Sequence, residues 1–142
     1  MITFAPRTTA LVVRPGDLDR LGHVNNARAL EYLEHARWDW SRANGLALTC
    51  AIAVVVMRAE VDYLAPVGLE TLEIDTELTY DPDTPYRACF SQAARFPGTG
   101  KTALRGLVTV ALVDTAHGGL RSVEDFLQAA ASLEEKPCRI LL

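Results

Sequence analysis

Two carboxylates and one imidazole lie close together near the start of the chain, beside a glycine and a pair of asparagines. The segment reads DLDRLGHVNN over residues 17–26. A carboxylate or an imidazole can take a proton from water, and a carboxylate can also attack a carbonyl carbon directly. The segment therefore has the residue types for acid–base or nucleophilic chemistry.

A helix is predicted directly after this segment. Asn25 and Asn26 stand at its start, where Asn is favoured because its side chain accepts a hydrogen bond from a free backbone N–H. Apolar residues then recur at spacings of three and four, as on one face of a helix: Ala29, Leu30, Leu33, Ala36, Trp40 and Ala43. Gly45 is a suitable C-terminal stop. The acidic turn would thus lie beside free N–H groups that can bind negative charge.

The rest of the chain reads mainly as strands. Apolar and polar residues predict strands over 8–13, 51–65, 69–80, 86–96 and 102–114, with short turns between the last four. The continuous apolar run over 51–56 predicts a strand covered on both sides. Ser122 and Asp125 resemble a capping box and predict a short second helix. The order predicts an α+β fold in which an antiparallel sheet packs on one long helix, as a single domain over 1–142.

Composition limits the classes of function. The chain has 142 residues and a net charge of −4 without a basic run, which argues against nucleic acid as a partner. Its three cysteines are far apart and form no Cys-x-x-Cys, so neither a zinc site nor a disulfide framework is expected. The N-terminus lacks a signal-peptide pattern and no apolar run is long enough to cross a membrane. We therefore expect a cytoplasmic protein without a membrane partner, whose apolar tail 140–142 docks on the body.

The motif in residues 17–37 resembles that of a known family. The pattern Asp-x-Asp-x-x-Gly-His-Val-Asn-Asn, followed by Tyr32 and by Glu-x-Ala-Arg over 34–37, is similar to the signature of hotdog-fold thioesterases of the 4-hydroxybenzoyl-CoA thioesterase type. The resemblance implies an antiparallel sheet wrapped around one long central helix. It also implies a homodimer or homotetramer with active sites between subunits, and neither a cofactor nor a metal.

The resemblance also assigns roles to residues of the acidic turn. It implies that Asp19 is the catalytic carboxylate, acting as nucleophile or general base. The backbone N–H of Asn26, together with Asn25, would stabilise the oxyanion. His23 would orient substrate or water, or tie the loop together by hydrogen bonds. Asp17 is expected to be structural.

A substrate site follows from the same resemblance. Gly22 would allow close approach of the thioester, and Tyr32 would line the acyl pocket. Val56 and Met57 would complete this pocket from the partner subunit. Relatives with His-Val-Asn-Asn usually carry an aromatic residue at the position of Ala29. The small side chain here is expected either to enlarge the acyl pocket or to change helix–sheet packing.

The predicted function is hydrolysis of an acyl thioester to free acid and thiol, with the acyl group carried by CoA or by a carrier protein. One alternative is a hotdog hydratase or dehydratase acting on acyl thioesters, with His23 and Asp19 or Glu34 as an acid–base pair. A second is a protein that binds acyl thioesters without catalysis. Arg95, Lys101 and Arg105 would either contact a CoA phosphate or form a solvated hairpin end.

Overall fold

The computed structural model describes residues 4–46 and 52–131 of the chain. In chain order the elements are β1 (Arg7–Val12), a short 3-10 turn (Pro15–Asp17), α1 (Asn26–Ala43), β2 (Ile52–Tyr63), β3 (Thr71–Thr79), β4 (Arg87–Arg95), β5 (Thr102–Asp114), β6 (Leu120–Arg121) and α2 (Val123–Ala131). This order confirms the predicted strands and helices. The two-residue strand β6 was not predicted, because so short a segment carries no periodic pattern.

The strands form one antiparallel sheet in the order β1-β3-β4-β5-β2, and β6 pairs with the end of β5. The consecutive strands β3, β4 and β5 are neighbours joined by short turns, as the sequence predicts. β1 and β2 therefore lie at the two ends of this strand order. β2 also contains an irregularity of register between Val56 and Arg58.

Helix α1 begins and ends where the sequence predicts. The Asn25 side chain accepts a hydrogen bond from the Ala27 N–H at 2.9 Å, and Gly45 has a φ of +69° after the last turn. The buried face comprises Ala29, Tyr32, Leu33, Ala36 and Trp40. The expectation that Leu30 and Ala43 belong to this face is wrong, since both are exposed. Successive helical residues are about 100° apart, which turns Leu30 away from the stripe that Ala29 begins.

A buried polar side chain ties α1 to the middle of the sheet. Gln92 on β4 interrupts an apolar run in the sequence and is 1% exposed. Its Nε2 donates to the Leu33 carbonyl at 2.9 Å and to Thr76 Oγ1 at 3.0 Å. Its Oε1 accepts from Arg37 Nη1 at 3.0 Å. Next to it on β5, a Cβ on Gly106 would lie 3.0 Å from Leu33 Cδ1. Glycine therefore allows the helix to pack closely on the sheet.

The expectation that residues 51–56 are covered on both sides is wrong within one chain. β2 pairs with β5 and, among the described strands, with no other. Its apolar residues lie at the surface, with exposed fractions between 41% and 52% for Val54, Val55, Val56 and Met57. An apolar run can indicate burial, but the sequence does not say what buries it. The run here forms an apolar edge of the sheet.

The remaining strand predictions are mostly confirmed. Leu72, Ile74 and Thr76 of β3 are buried, whereas Tyr86 lies before β4 and is exposed. Ser122 Oγ accepts from the Asp125 N–H at 3.0 Å, as a helix cap does. The predictions for residues 50, 51 and 132–142 lie outside the described residues. Within the described ranges, no helix has the length and apolar content needed to cross a membrane.

Candidate active site

The loop between β1 and α1 is held in a tight reverse turn. Leu18 and Val24 form an isolated antiparallel bridge, so the chain leaves and returns side by side. Inside this turn the Asp19 N–H donates to the His23 carbonyl at 2.7 Å, and the Gly22 N–H donates to the Asp19 carbonyl at 3.1 Å. Gly22 has a φ of +75°, which glycine adopts without steric cost. The structure thus gives Gly22 a conformational role in shaping the loop.

The Asp19 carboxylate is exposed and oriented by backbone donors. Its Oδ1 accepts from the Leu21 N–H at 2.8 Å and from the His23 N–H at 3.2 Å. Both of these bonds end on Oδ1, and within residues 4–46 and 52–131 no hydrogen bond is made to Oδ2. Oδ2 is consequently open to a substrate or a water molecule. This geometry suits a catalytic carboxylate, because one oxygen holds the group in place while the other can react.

The start of α1 follows this loop directly and lines the same cavity as Asp19. Asn26 is the first helical residue, and the N–H groups of a first helical turn have no acceptor inside the helix. The Asn25 side chain is used as the helix cap through Ala27. The Asn26 carbonyl accepts from the hydroxyl of Tyr63, on β2, at 2.9 Å. Sequence reasoning missed Tyr63, because no local pattern links residues so far apart.

A cavity of about 400 Å³ brings four of the eight predicted site residues together, and neither Gly22 nor Asn25 lines it. Its polar lining residues include Asp19, His23, Asn26 and Tyr32, and Ala29 also lines it. Apolar residues complete it, including Val24, Leu64, Val67, Leu72 and Leu104. Val56 and Met57 do not line this cavity within one chain. Their predicted contribution would have to come from a second subunit.

Asp17 differs from Asp19 in every contact. Asp17 is 5% exposed, and its Oδ2 accepts from the Tyr32 hydroxyl at 2.6 Å. Arg14 and Arg28 lie 3.3 and 3.7 Å from its carboxylate oxygens. Its backbone carbonyl accepts from the Asn25 N–H at 2.9 Å, which joins it to the helix start. These contacts support the predicted structural role, and they commit the Tyr32 hydroxyl to Asp17.

The same contacts shift two pKa values. The Tyr32 hydrogen bond lowers the pKa of Asp17 against the opposing effect of burial, and Arg14 adds to the lowering. Burial, followed by the bond to Asp17, raises the pKa of Tyr32 to about 12. The pair therefore favours a charged carboxylate and a neutral phenol at neutral pH.

We expect the stability of the Asp17→Asn variant to fall less on acidification than the stability of the wild type. A carboxyl with a lowered pKa stabilises the fold above its unfolded pKa of about 4. That stability is lost as the pH falls through the folded pKa. The wild-type Tm should therefore fall more steeply than that of Asp17→Asn between neutral pH and pH 3, measured by thermal melts in one buffer series. Parallel Tm curves would contradict the assignment.

Two arginines outside the acidic loop are paired with carboxylates. Arg28 pairs with Glu31 at 2.8 Å on the surface of α1. Arg95 pairs with Glu73 at 2.6 Å and Asp75 at 2.8 Å, which favours a solvated hairpin end over a phosphate site. In the described part of the chain, no group of three or more His, Cys, Asp or Glu side chains is placed to hold a metal ion.

Comparison with known proteins agrees with this geometry. A family model described as the thioesterase-like superfamily matches residues 13–131. The long-chain acyl-CoA thioesterase FadM of Escherichia coli strain K12 is 40% identical over 73 residues, an alignment that covers 45% of this chain and 51% of FadM. The chain therefore spans about half the length of the curated relative it matches.

Solved structures share the architecture. The PA2801 protein of Pseudomonas aeruginosa is 28% identical with a TM-score of 0.75, covering 87% of this chain and 96% of that one. Slr0204, a 1,4-dihydroxy-2-naphthoyl-CoA thioesterase from Synechocystis, is 17% identical with a TM-score of 0.78, covering 94% and 100%. These likenesses confirm the predicted hotdog fold. Because the family model spans the acidic loop, α1 and every strand from β2 to β6, the chain belongs to the thioesterase-like superfamily.

Proposed function

We propose that this protein hydrolyses acyl-CoA thioesters to a free acid and a thiol, with Asp19 as the catalytic carboxylate. One observation carries the proposal: Asp19, with one oxygen open, shares a cavity with Asn26 at the start of α1. Thioester hydrolysis needs a nucleophile or base beside donors for the oxyanion. Membership in the thioesterase-like superfamily and the acyl-CoA activity named for FadM support the same reaction.

In the proposed reaction the Asn26 N–H donates to the thioester carbonyl oxygen as it gains negative charge. Acting as a general base, Asp19 takes a proton from water, whose oxygen then attacks the carbonyl carbon. Acting as a nucleophile, Asp19 instead forms an anhydride that water cleaves. In both routes the carbon–sulfur bond breaks and the thiolate leaves and is protonated. His23 lines the same cavity, where it would position substrate or water.

The acyl group would enter the apolar part of this cavity. Ala29 is buried and lines this cavity, so a larger side chain there would reduce its volume. Its small size therefore favours an acyl group that reaches past the helix start. CoA is the favoured carrier because FadM is named for acyl-CoA, while a carrier protein stays an alternative.

We expect Ala29→Phe to shift the substrate preference toward short acyl groups. The added ring would occupy cavity volume that only longer chains use, so kcat/KM should fall about tenfold or more for long acyl-CoAs. Short acyl-CoAs should be affected little. The measurement is kcat/KM across a chain-length series, with Ala27→Phe as control because Ala27 is exposed on the same turn. An equal loss at every length would place the acyl chain elsewhere.

A second copy of the chain would complete the site. We propose that β2 pairs with its counterpart in a homodimer, or in a homotetramer of such dimers, bringing Val56 and Met57 near the partner's acidic loop. The exposed apolar edge of β2 supports this arrangement. Cytoplasmic residence stays a prediction from the sequence.

The experiment that tests the function is thiol release from acyl-CoAs with short, long and aromatic acyl groups, run beside Asp19→Ala. Release by the wild type that disappears in the variant would support the reaction and its key residue. A change in enoyl absorbance without thiol release would favour a hydratase. An acyl-CoA that stays intact in a tight complex over hours would favour a binding protein. Either of the last two results would overturn the proposal.

A further inference from the structure

The last residue of β2 reaches the start of α1. Tyr63 lines the cavity that contains Asp19, and its hydroxyl donates to the Asn26 carbonyl at 2.9 Å. Tyr63 is 47% exposed, so its ring adds little to the core. Water can satisfy an exposed hydroxyl in any direction, and a protein partner then adds little to stability. The direction of this bond therefore calls for a reason other than stability.

The backbone at Tyr63 is fixed to the interior of the sheet. Tyr63 pairs with Leu104 in the register of β2 and β5. Directly after it, the N–H groups of Leu64 and Ala65 both donate to the Ala103 carbonyl, at 2.8 and 3.2 Å. β5 is also paired with β4 on its other side. The phenol is therefore presented by a supported strand end.

A second bond joins the segment after β2 to the acidic loop. The Val24 N–H donates to the Val67 carbonyl at 2.8 Å. The chain from Tyr63 to Val67 thus holds both sides of the helix cap Asn25, at Val24 before it and at Asn26 after it. The position of the helix start relative to the loop therefore depends on this segment.

The backbone groups next to the Asn26 N–H are all hydrogen-bonded. The Asn25 carbonyl accepts from the Ala29 N–H at 3.0 Å, and the Ala27 N–H donates to Asn25 Oδ1 at 2.9 Å. The Asn26 carbonyl accepts from Tyr63, and among these contacts this one alone comes from another element. In the described part of the chain, the Asn26 N–H itself has no protein acceptor. The two peptide planes that meet at Asn26 are therefore held while its N–H stays free.

We propose that Tyr63 is a positioning residue for the oxyanion donor, an inference that rests on the proposed thioester hydrolysis. Its hydroxyl holds the Asn26 carbonyl and thereby keeps the Asn26 N–H in the direction that the thioester oxygen requires. Helix ends fray, because the first turn lacks part of the hydrogen bonds of the interior. A donor stabilises an oxyanion well only if it is fixed before the reaction. Tyr63 therefore acts through Asn26 and not on the substrate.

The experiment compares Tyr63→Phe with the wild type in the thiol-release assay. The variant keeps the ring and loses only an exposed hydroxyl, so Tm should change little. The Asn26 N–H remains but is less well fixed, so kcat should fall about tenfold, less than the hundredfold or more that loss of an oxyanion donor causes. KM should stay within about twofold of the wild-type value, because the oxyanion charge develops only in the transition state.

Tyr86→Phe is the matched control. Tyr86 is also about half exposed and does not line the cavity that contains Asp19. Its replacement removes the same hydroxyl group from another part of the surface. Its kcat and KM should therefore equal those of the wild type.

Amide hydrogen exchange gives a second readout that needs no substrate. The N–H groups of Ala27 and Ala29 belong to the helical turn that Tyr63 holds. Their exchange, followed by NMR, should be about threefold or more faster in Tyr63→Phe, because this turn has lost one hydrogen bond. Exchange in the last turn of α1 should be unchanged, and Tyr86→Phe should leave both ends of the helix as in the wild type.

The outcomes separate this inference from the proposed function. Thiol release by the wild type, with a lower kcat and faster Ala27 exchange in Tyr63→Phe, would support it. An unchanged kcat, a change in KM alone, an equal loss in Tyr86→Phe, or unchanged Ala27 exchange would each overturn the role of Tyr63 and leave hydrolysis standing. A wild type that releases no thiol would overturn the proposed function and this inference with it.

Discussion

Asp19→Asn is expected to reduce kcat for thiol release about a thousandfold, within the range that removal of a catalytic base produces. The amide oxygen can still accept from the Leu21 and His23 N–H groups, so the loop keeps its shape. The amide cannot take a proton from water or attack the thioester. Tm should therefore change little while the reaction is lost. Steady-state kinetics and a thermal melt on the same preparation measure both.

The control for this variant is Asp83→Asn, which removes the same charge from an exposed turn far along the chain. Its kcat should equal that of the wild type. A kcat for Asp19→Asn within threefold of the wild-type value would show that Asp19 does not carry the reaction. A thousandfold loss shared by Asp83→Asn would indicate an effect of net charge rather than of position.

Gln92→Ala is expected to lower the free energy of unfolding by about 3 kcal/mol, since it creates a cavity and leaves buried polar groups unpaired. The variant removes the donor to the Leu33 carbonyl and to Thr76, and the acceptor for Arg37. For a chain of this size, such a loss corresponds to a fall in Tm of about 6 to 12 °C. Urea unfolding and thermal melts together give both values.

Ser91→Ala is the matched control for Gln92→Ala. Ser91 precedes Gln92 on β4 and is exposed on the opposite face of the sheet. Its replacement should change the free energy of unfolding by less than about 0.5 kcal/mol. Equal effects of the two substitutions would mean that the helix is held to the sheet mainly by apolar packing.

The sequence predicts those features that depend on neighbours along the chain. The Asn25 cap and the Gly45 stop of α1 act within a few residues, and the alternation of β3 needs only one strand. The predictions that were wrong, and the contacts that were missed, depend on segments that are distant along the chain. The burial of Tyr32 instead of Leu30 depends on which side of α1 faces the sheet. The bond from Tyr63 to Asn26 needs the end of β2 to return to the helix start.

In the candidate site, too, some features follow from the local sequence and others only from contacts between distant segments. Asp17 and Asp19 are the same residue type two positions apart, and composition or spacing cannot rank them. A family resemblance singles out Asp19 in the sequence, whereas the structure separates the two by their surroundings. Asp17 is buried against Tyr32, and Asp19 is exposed with an open oxygen. An apolar cavity against the C-terminal half of α1 could not be predicted, because its walls come from four strands and two helices distributed over most of the chain.

The exposed edge of β2 has a consequence for the protein in the cell. Among the described strands this edge has no partner, and another strand added there would pair its backbone groups and cover its apolar side chains. Any partner that binds only the folded chain raises the free energy of unfolding with the logarithm of its concentration. If that partner is a second copy, the folded fraction depends on how much protein the cell makes. A change in expression level would then act on this fold much as a mutation in its core does.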